Sequence, residues 1–162
     1  MEADDGDFDP VFRRLFPMAA RLAYRIVGDR EQAEDIAAEA CAKALARWGR
    51  VGRLAYREAW VMRVASNLAL DAVKRTAPPS QPDVPMSDIG ESVALRVAVA
   101  VALRTLPRRQ REVIVLRYFV GLPDCEVAGA LGIAEGTVRT HARRGLGALR
   151  ERGILSLEDA AR

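Results

Sequence analysis

Aromatic residues make up only 6% of this 162-residue chain, and Ile, Thr and Tyr are scarce beside Ala, Leu, Val and Arg. β-Branched and aromatic side chains favour strands, whereas Ala, Leu and Arg favour helices. The composition therefore predicts an all-α protein with little or no sheet. The length allows one sizeable hydrophobic core or two small ones.

Cysteine and histidine are also scarce, with two cysteines and one histidine. Cys41 and Cys125 show no CxxC or Cys/His spacing, and His141 has no second histidine with which to bind a metal, so we expect no metal site. The chain shows no phosphate-binding glycine loop and no histidine spaced to pair with a nucleophile, so we expect no catalytic residues and no cofactor. Without a basic, apolar leader, the sequence predicts a reduced, cytoplasmic protein.

Long hydrophobic runs are absent as well. The most apolar stretch, VALRVAVAVALRTL at 93–106, is interrupted by Arg96 and Arg104. It is shorter than the roughly 20 residues that a transmembrane helix needs. We therefore expect a buried helix here and no membrane insertion.

Charge is distributed unevenly along the chain. Residues 1–90 hold 13 Lys and Arg against 14 Asp and Glu, and residues 91–162 hold 12 against 8, which together give the net charge of +3. A basic second half suits an anionic partner such as a nucleic acid, although an ordinary solvated surface can carry the same excess.

Apolar spacing predicts three helices in the first half. The first is capped by Asp9, has Pro10 in its first turn and ends at Gly28. The second follows a cap at Asp29, and the third runs from about Leu54 to Arg75 after a loop at 49–53. The second should bury one face, composed of Ala33, Ile36, Ala37, Ala40, Cys41, Ala44 and Trp48.

The stretch TAPPSQPDVPMSDIG at 76–90 holds four prolines in fifteen residues, which neither a helix nor a central strand tolerates. It predicts a flexible linker between two small helical domains, residues 1–75 and residues 91–162. Breaks at proline and glycine divide the second domain into four short helices. The acidic opening at 1–9 is expected to fray.

The last two of these helices are separated only by GIAE at 132–135, which is the spacing of a helix-turn-helix. On a helical wheel the second of them turns small apolar residues inward: Val138, Ala142, Gly145, Leu146 and Leu149. Its outward face is basic, and arginine and threonine there suit base edges and phosphates in a major groove. The residues predicted to contact DNA are Thr137, Arg139, Thr140, Arg143 and Arg144.

The stretch LPRRQREVIVLRYFVGLPDCEVAGALGIAEGTVRTHARRGLGALRE closely resembles region 4 of bacterial sigma factors. AEDIAAEA and AWVMRVASNLALD resemble region 2, and with only a linker between them the layout is similar to the extracytoplasmic-function (ECF) group. The resemblance implies a three- or four-helix region 2 bundle and a region 4 helix-turn-helix domain. It also implies a promoter-specificity subunit that works by binding rather than by catalysis.

In that family, region 2 binds the β′ coiled-coil of core RNA polymerase and the melted −10 element, while region 4 binds the β flap and the duplex −35 element. An anti-sigma factor frequently holds members of the group inactive. The resemblance assigns polymerase binding to the acidic residues Glu31, Glu34, Asp35 and Glu39, although Ala38 stands where the family often has Gln. It assigns −10 binding to Arg63, Asn67, Asp71, Lys74 and Arg75, and it supports the −35 residues found on the wheel.

Three further assignments are weaker. Arg50, Arg53 and Tyr56 lie where the family holds a flipped −10 base. Trp60 is expected to be a core aromatic, and Arg108, Arg109 and Arg111 either touch phosphate or stay hydrated. The alternative function is a stand-alone helix-turn-helix regulator that binds duplex DNA without polymerase, in which the first half is a signal or dimerisation domain.

Overall fold

A computed structural model describes residues 8–76 and 88–153, and throughout that part the regular structure is helical. The first half contains α1 (Phe8–Val27), α2 (Arg30–Leu45), α3 (Trp48–Val51) and α4 (Arg57–Thr76). The second contains α5 (Asp88–Thr105), α6 (Arg108–Ile114), a π-helical segment (Val115–Val120), α7 (Asp124–Leu131) and α8 (Glu135–Glu151). The predicted all-α fold with two small helical domains is confirmed.

Helix α1 buries an apolar stripe at helical spacing and ends where Gly28 adopts a φ of 76°. The prediction that Asp9 caps this helix is wrong, because the helix begins one residue earlier at Phe8. Asp9 instead lies in the first turn, where its carboxylate pairs with Arg13 at 3.0 Å. An acidic side chain is stabilised there by the positive end of the helix dipole.

Asp29 caps α2 as predicted, since its Oδ1 accepts a hydrogen bond from the backbone N–H of Gln32 at 2.7 Å. The alanine-rich face of α2 is buried. Trp48 is also buried but begins α3, a single turn that occupies part of the predicted loop. Its ring meets Phe8 edge-on at 4.9 Å, so the loop prediction missed a turn that anchors Trp48 against α1. Helix α4 begins at Arg57 rather than near Leu54.

The prediction that 93–106 is a buried helix is wrong for one side of α5. Ala100, Ala102 and Leu103 are buried, but Leu95 is 59% exposed, and Val93, Val97 and Val101 are exposed as well. Helix α5 packs against α1, α4 and α6. Apolar residues distributed around the whole helix therefore leave a second apolar side uncovered by the described residues.

One continuous core joins the two halves. Buried side chains of α1, α2 and α4 form a single cluster with those of α5, α6, the π-helical segment, α7 and α8. The centre of the predicted linker, residues 77–87, lies outside the described residues, as do residues 1–7 and residues 154–162. The sequence predicts that the acidic opening frays over residues 1–9, but Phe8 and Asp9 belong to α1. The domain boundaries remain a prediction.

Candidate nucleic-acid and polymerase interfaces

Helices α7 and α8 form a compact helix-turn-helix. Gly132, with a φ of 65°, ends α7, and the N–H of Ile133 donates to the carbonyl of Ala128 at 3.1 Å. Only glycine adopts this left-handed conformation without strain, so Gly132 permits the sharp turn. The predicted inward residues of α8 are buried, except Leu146, which is half-buried against the core.

The outward face of α8 is accessible. Thr137, Arg139, Arg143 and Arg144 are exposed, while Thr140 is half-buried and its hydroxyl donates to the carbonyl of Gly136 at 3.0 Å. The inward and outward sides of the wheel therefore correspond to the buried and accessible sides of the helix. The structure places the five predicted −35 residues together on α8.

Arg139 is held at the start of α8 by two carboxylates. Its Nη1 lies 3.7 Å from Asp124 and 3.8 Å from Glu135, and the side chain is 61% exposed. Asp124 also pairs with Arg117 at 3.0 Å. Both contacts are long and Arg139 itself is exposed, so the pairs are weak and Arg139 can exchange them for a phosphate or a base edge at little cost.

The basic residues of α6 have internal partners. Glu112 has a fully buried side chain, and its two carboxylate oxygens accept hydrogen bonds from Arg108 at 3.1 Å and Arg109 at 3.2 Å. Arg111 donates to the carbonyl of Arg104 at 3.4 Å. For Arg108, Arg109 and Arg111 the sequence suggested either phosphate contact or simple hydration. The structure adds a third role, because Arg108 and Arg109 neutralise the buried Glu112.

The acidic face of α2 consists of Glu31, Glu34, Asp35 and Glu39, all exposed and on the side away from the buried alanines. Arg30 pairs with Glu34 at 2.9 Å, and Lys43 pairs with Glu39. The hydrogen bond to Glu34 raises the pKa of Arg30. The structure brings the four predicted polymerase-binding residues together on one exposed face.

The predicted −10 residues follow one side of α4 toward its end. Arg63 and Asn67 are half-buried, and Asp71, Lys74 and Arg75 are exposed. Arg63 donates to the carbonyl of Ala130 in α7 at 3.4 Å, and its burial lowers its pKa although Glu112 opposes that effect. Asp71 accepts a hydrogen bond from Arg104 of α5 at 2.8 Å. Part of this surface thus faces the second half of the chain.

A cleft lies beside this surface, between the α3–α4 region and the end of α7. Arg50, Tyr56, Trp60 and Arg63 line it on one side, and residues 129–132 line it on the other. Two of the three weak pocket candidates therefore come together here, whereas Arg53 does not line the cleft. Trp60 is half-buried and packs against the core, so it is less enclosed than predicted.

The sequence reasoning missed two arginines that join the halves. Arg25 of α1 donates to the carbonyl of Phe119 at 2.7 Å, and Arg104 of α5 donates to the carbonyl of Leu70 at 2.7 Å. No local signal identifies them, because an arginine on an amphipathic helix has the same pattern whether it meets water or a distant carbonyl.

Comparison with known proteins supports both halves of the interpretation. The sigma-70 region 2 family model matches residues 11–78, and the sigma-70 region 4 model matches residues 102–151. The RNA polymerase sigma-E factor of Streptomyces coelicolor is 32% identical over 150 residues, covering 90% of this chain and 85% of that protein. The chain belongs to the ECF group of sigma factors.

A second relative agrees with this sigma factor's assignment, and a solved structure shares its fold. The ECF RNA polymerase sigma factor SigM of Mycobacterium tuberculosis is 34% identical over 141 residues, covering 85% of this chain and 72% of that protein. The crystal structure of the sigma factor RpoE of Bartonella quintana, in complex with the anti-sigma factor NepR, shares the fold with a TM-score of 0.56. It is 21% identical and covers 90% of this chain and 95% of that one.

Membership of this family makes the protein a transcription initiation factor that binds RNA polymerase and DNA. The alternative of a stand-alone regulator is not favoured, because region 2 matches the first half of the chain. Within the described part of the chain, each helix is too short or too polar to cross a membrane. The same residues include no group of three or more His, Cys, Asp or Glu side chains placed to hold a metal ion.

Proposed function

We propose that this sigma factor binds core RNA polymerase through the acidic face of α2 and holds promoter DNA at two separate places. The observation that carries the proposal is the pairing, in one small chain, of an exposed acidic helix face with an exposed arginine-bearing helix of a helix-turn-helix. A carboxylate row suits a basic partner surface, and the family's partner for this helix is the β′ coiled-coil. Region 4 would contact the β flap.

Helix α8 would read the duplex −35 element through Thr137, Arg139, Thr140, Arg143 and Arg144. Arginine forks match the O6 and N7 atoms of guanine, and the N-terminal turn of a helix favours phosphate. The surface of α4 would take the melted −10 strand, with Asn67 hydrogen-bonding a base and Arg63, Lys74 and Arg75 following phosphates. Asp71 is the remaining residue of the proposed −10 surface.

An anti-sigma factor is proposed as a third partner. The related RpoE structure contains one. A groove of about 460 Å³ in this chain lies between α1, α5 and the π-helical segment, lined by Tyr24, Leu95, Val99 and Phe119 among others. Exposed Leu95 and Tyr24 give it the apolar character that a protein partner requires. We propose that the protein acts in the cytoplasm, by binding and without catalysis.

Reconstitution with core polymerase on a promoter library tests the proposal. The wild type should direct transcription from a defined set of start sites. Asp35→Lys should impair holoenzyme assembly, because it places a cation in the acidic face, whereas Asp9→Lys on exposed α1 should leave assembly intact. DNA binding without any redirection of core polymerase would overturn the proposal.

In the same system, Arg144→Ala should lower −35-dependent transcription while holoenzyme still assembles. If Arg144 neutralises a phosphate, the slope of log affinity against log salt on duplex DNA falls by about 0.9. Arg13→Ala, which removes an exposed arginine of α1, serves as the control. Loss of polymerase binding by Arg144→Ala would show that the recognition helix is misassigned.

A further inference from the structure

The carboxylate of Asp124 lies between two arginines that belong to different elements. Its Oδ1 is 3.0 Å from Nε of Arg117 in the π-helical segment. Its Oδ2 is 3.7 Å from Nη1 of Arg139, the first arginine of α8. The side chain of Asp124 is only 18% exposed, whereas that of Arg139 is 61% exposed. A mostly buried anion therefore lies behind a guanidinium that extends into solvent.

The surrounding chain fixes the position of Asp124. It is the first residue of α7 and follows Pro123, whose ring restricts the backbone. Gly121, with a φ of 84°, turns the chain between the π-helical segment and α7, so that Asp124 meets Arg117. The Arg117 guanidinium also lies 5.4 Å from the centre of the Tyr118 ring. Asp124 is thus anchored independently of Arg139.

Glu135, the second carboxylate near Arg139, is placed differently. Its Oε2 lies 3.8 Å from Nη1 of Arg139, but its side chain is 52% exposed and belongs to the same helix, one turn earlier. Such an exposed pair is screened by solvent and contributes little. Asp124 approaches from the neighbouring helix instead, so it orients Arg139 relative to the helix-turn-helix as a whole. This difference favours Asp124 over Glu135 as the residue that directs Arg139.

The guanidinium of Arg139 has enough donors to contact Asp124 and a base together. An arginine carries five N–H groups, and two of them match O6 and N7 of guanine. The remaining N–H groups can stay directed to Asp124 while the contact with Glu135 is released. A phosphate is itself anionic, so the carboxylate of Asp124 opposes its approach, whereas a neutral base edge is not repelled. A repulsive element of this kind favours one ligand by disfavouring its competitor.

We propose that Asp124 is a positioning residue that directs Arg139 toward a guanine edge of the −35 element and away from phosphate. This inference rests on the proposed −35 role of α8. Asp124 raises the preference for one base pair rather than the overall affinity for DNA, because it orients the arginine fork but adds a negative charge near the duplex. Arg117 keeps the carboxylate in place for this role.

Holoenzyme reconstituted with the full-length chain tests this role on a duplex whose −35 sequence it selects from a promoter library. Affinity is measured for that duplex and for duplexes in which each −35 base pair is replaced in turn, and the ratio gives the base preference. Arg139→Ala should lower the preference at one base pair by about 5- to 150-fold, the range for one bidentate arginine contact. Asp124→Asn should lower it at the same base pair by about fivefold, the lower end of that range.

Glu126→Gln is the matched control, because it removes one negative charge from the same first turn of α7 and leaves both pairs of Asp124 in place. It should leave the base preference unchanged. The double variant Asp124→Asn, Arg139→Ala should lose no more preference than Arg139→Ala alone, since the two residues act through one contact. Asp124→Ser, which keeps a side chain suited to a helix start, is the second variant should Asp124→Asn be unstable.

The outcomes separate this role from the proposed function. A preference that Arg139→Ala lowers but the Asp124 variants leave unchanged would overturn the positioning role and keep α8 as the −35 reader. An equal loss of affinity for every duplex, or a loss that adds to that of Arg139→Ala, would show that Asp124 only stabilises the fold. A wild-type holoenzyme without any −35 preference would overturn the −35 role of α8, and the positioning role with it.

Discussion

Arg63 shows how one side chain can serve two states of a protein. It is the first of the proposed −10 residues along α4, and in this structure its guanidinium is directed to the end of α7. Phosphate oxygens and C-terminal helix carbonyls offer the same chemistry to an arginine, namely hydrogen-bond acceptors with negative charge. Region 4 thus occupies an arginine that we propose to bind the −10 strand.

Glu112 is the other residue whose environment is unusual, because its carboxylate is fully buried between arginines. Glu112→Gln should destabilise the protein by about 1–3 kcal/mol, since it removes charge-assisted hydrogen bonds and the counter-charge of Arg63. The melting temperature should therefore fall by roughly 2–10 °C.

Glu34→Gln is the control for this measurement. It breaks an exposed pair with Arg30, which solvent screens, so it should leave the melting temperature nearly unchanged. Equal shifts for the two variants would mean that Glu112 is no more important than a surface carboxylate.

At the scale of elements, the recognition helix α8 is positioned by its contact with α6. A Cβ at Gly145 would lie 3.0 Å from Cγ1 of Ile114 and 3.3 Å from its Cδ1, and Ile114 is itself buried. The absence of a side chain at Gly145 therefore allows α8 to approach α6 closely. This approach sets the direction in which the arginines project.

Two glycines of α8 should respond differently to the same change. Gly147→Ala should stabilise the helix by about 1 kcal/mol, because a Cβ atom at this position meets nothing within 4 Å and alanine is the better helix former. Gly145→Ala gains the same propensity but compresses Ile114, which costs about 1–3 kcal/mol. Calorimetry should show a higher melting temperature for Gly147→Ala only. An equal rise in both variants would contradict the close α6–α8 contact.

At the scale of the whole molecule, the shared core makes the two regions one folding unit. Buried residues of region 2 and region 4 belong to one cluster, and Arg25 and Arg104 add polar contacts at its edge. Cooperative unfolding is expected when the parts of a small protein stabilise one another across a packed interface.

The wild type should therefore unfold in a single calorimetric transition, with equal van't Hoff and calorimetric enthalpies. Gly129→Gln, whose side chain would overlap the ring of Tyr56 and separate the halves, should show two transitions because each region then unfolds by itself. Gly147→Gln should keep the single transition. Two resolved transitions in the wild type would mean that the regions do not stabilise each other.

Local features of the sequence determined the all-helical fold, the position of most helices and the division of α8 into a buried and a basic side. These follow from apolar spacing and from glycine, proline and Asp29 at helix ends, all of which act within a few residues. The placement of the −35 and polymerase residues on exposed faces follows from the same periodicity. Their roles stay predictions, because accessibility does not identify what a face binds.

The tertiary structure alone decided which side of α5 is covered, where Trp48 packs and how arginines join the two halves. Arg25 and Phe119 are 94 residues apart, and Arg63 and Ala130 are 67 apart. The local sequence around an arginine is the same whether its side chain faces water or a backbone carbonyl. Only the approach of a distant helix end removes water from the guanidinium and replaces it with a hydrogen bond to that carbonyl. Because that approach depends on the packing of the whole chain, no local pattern could reveal that part of the proposed −10 surface faces the second half of the chain.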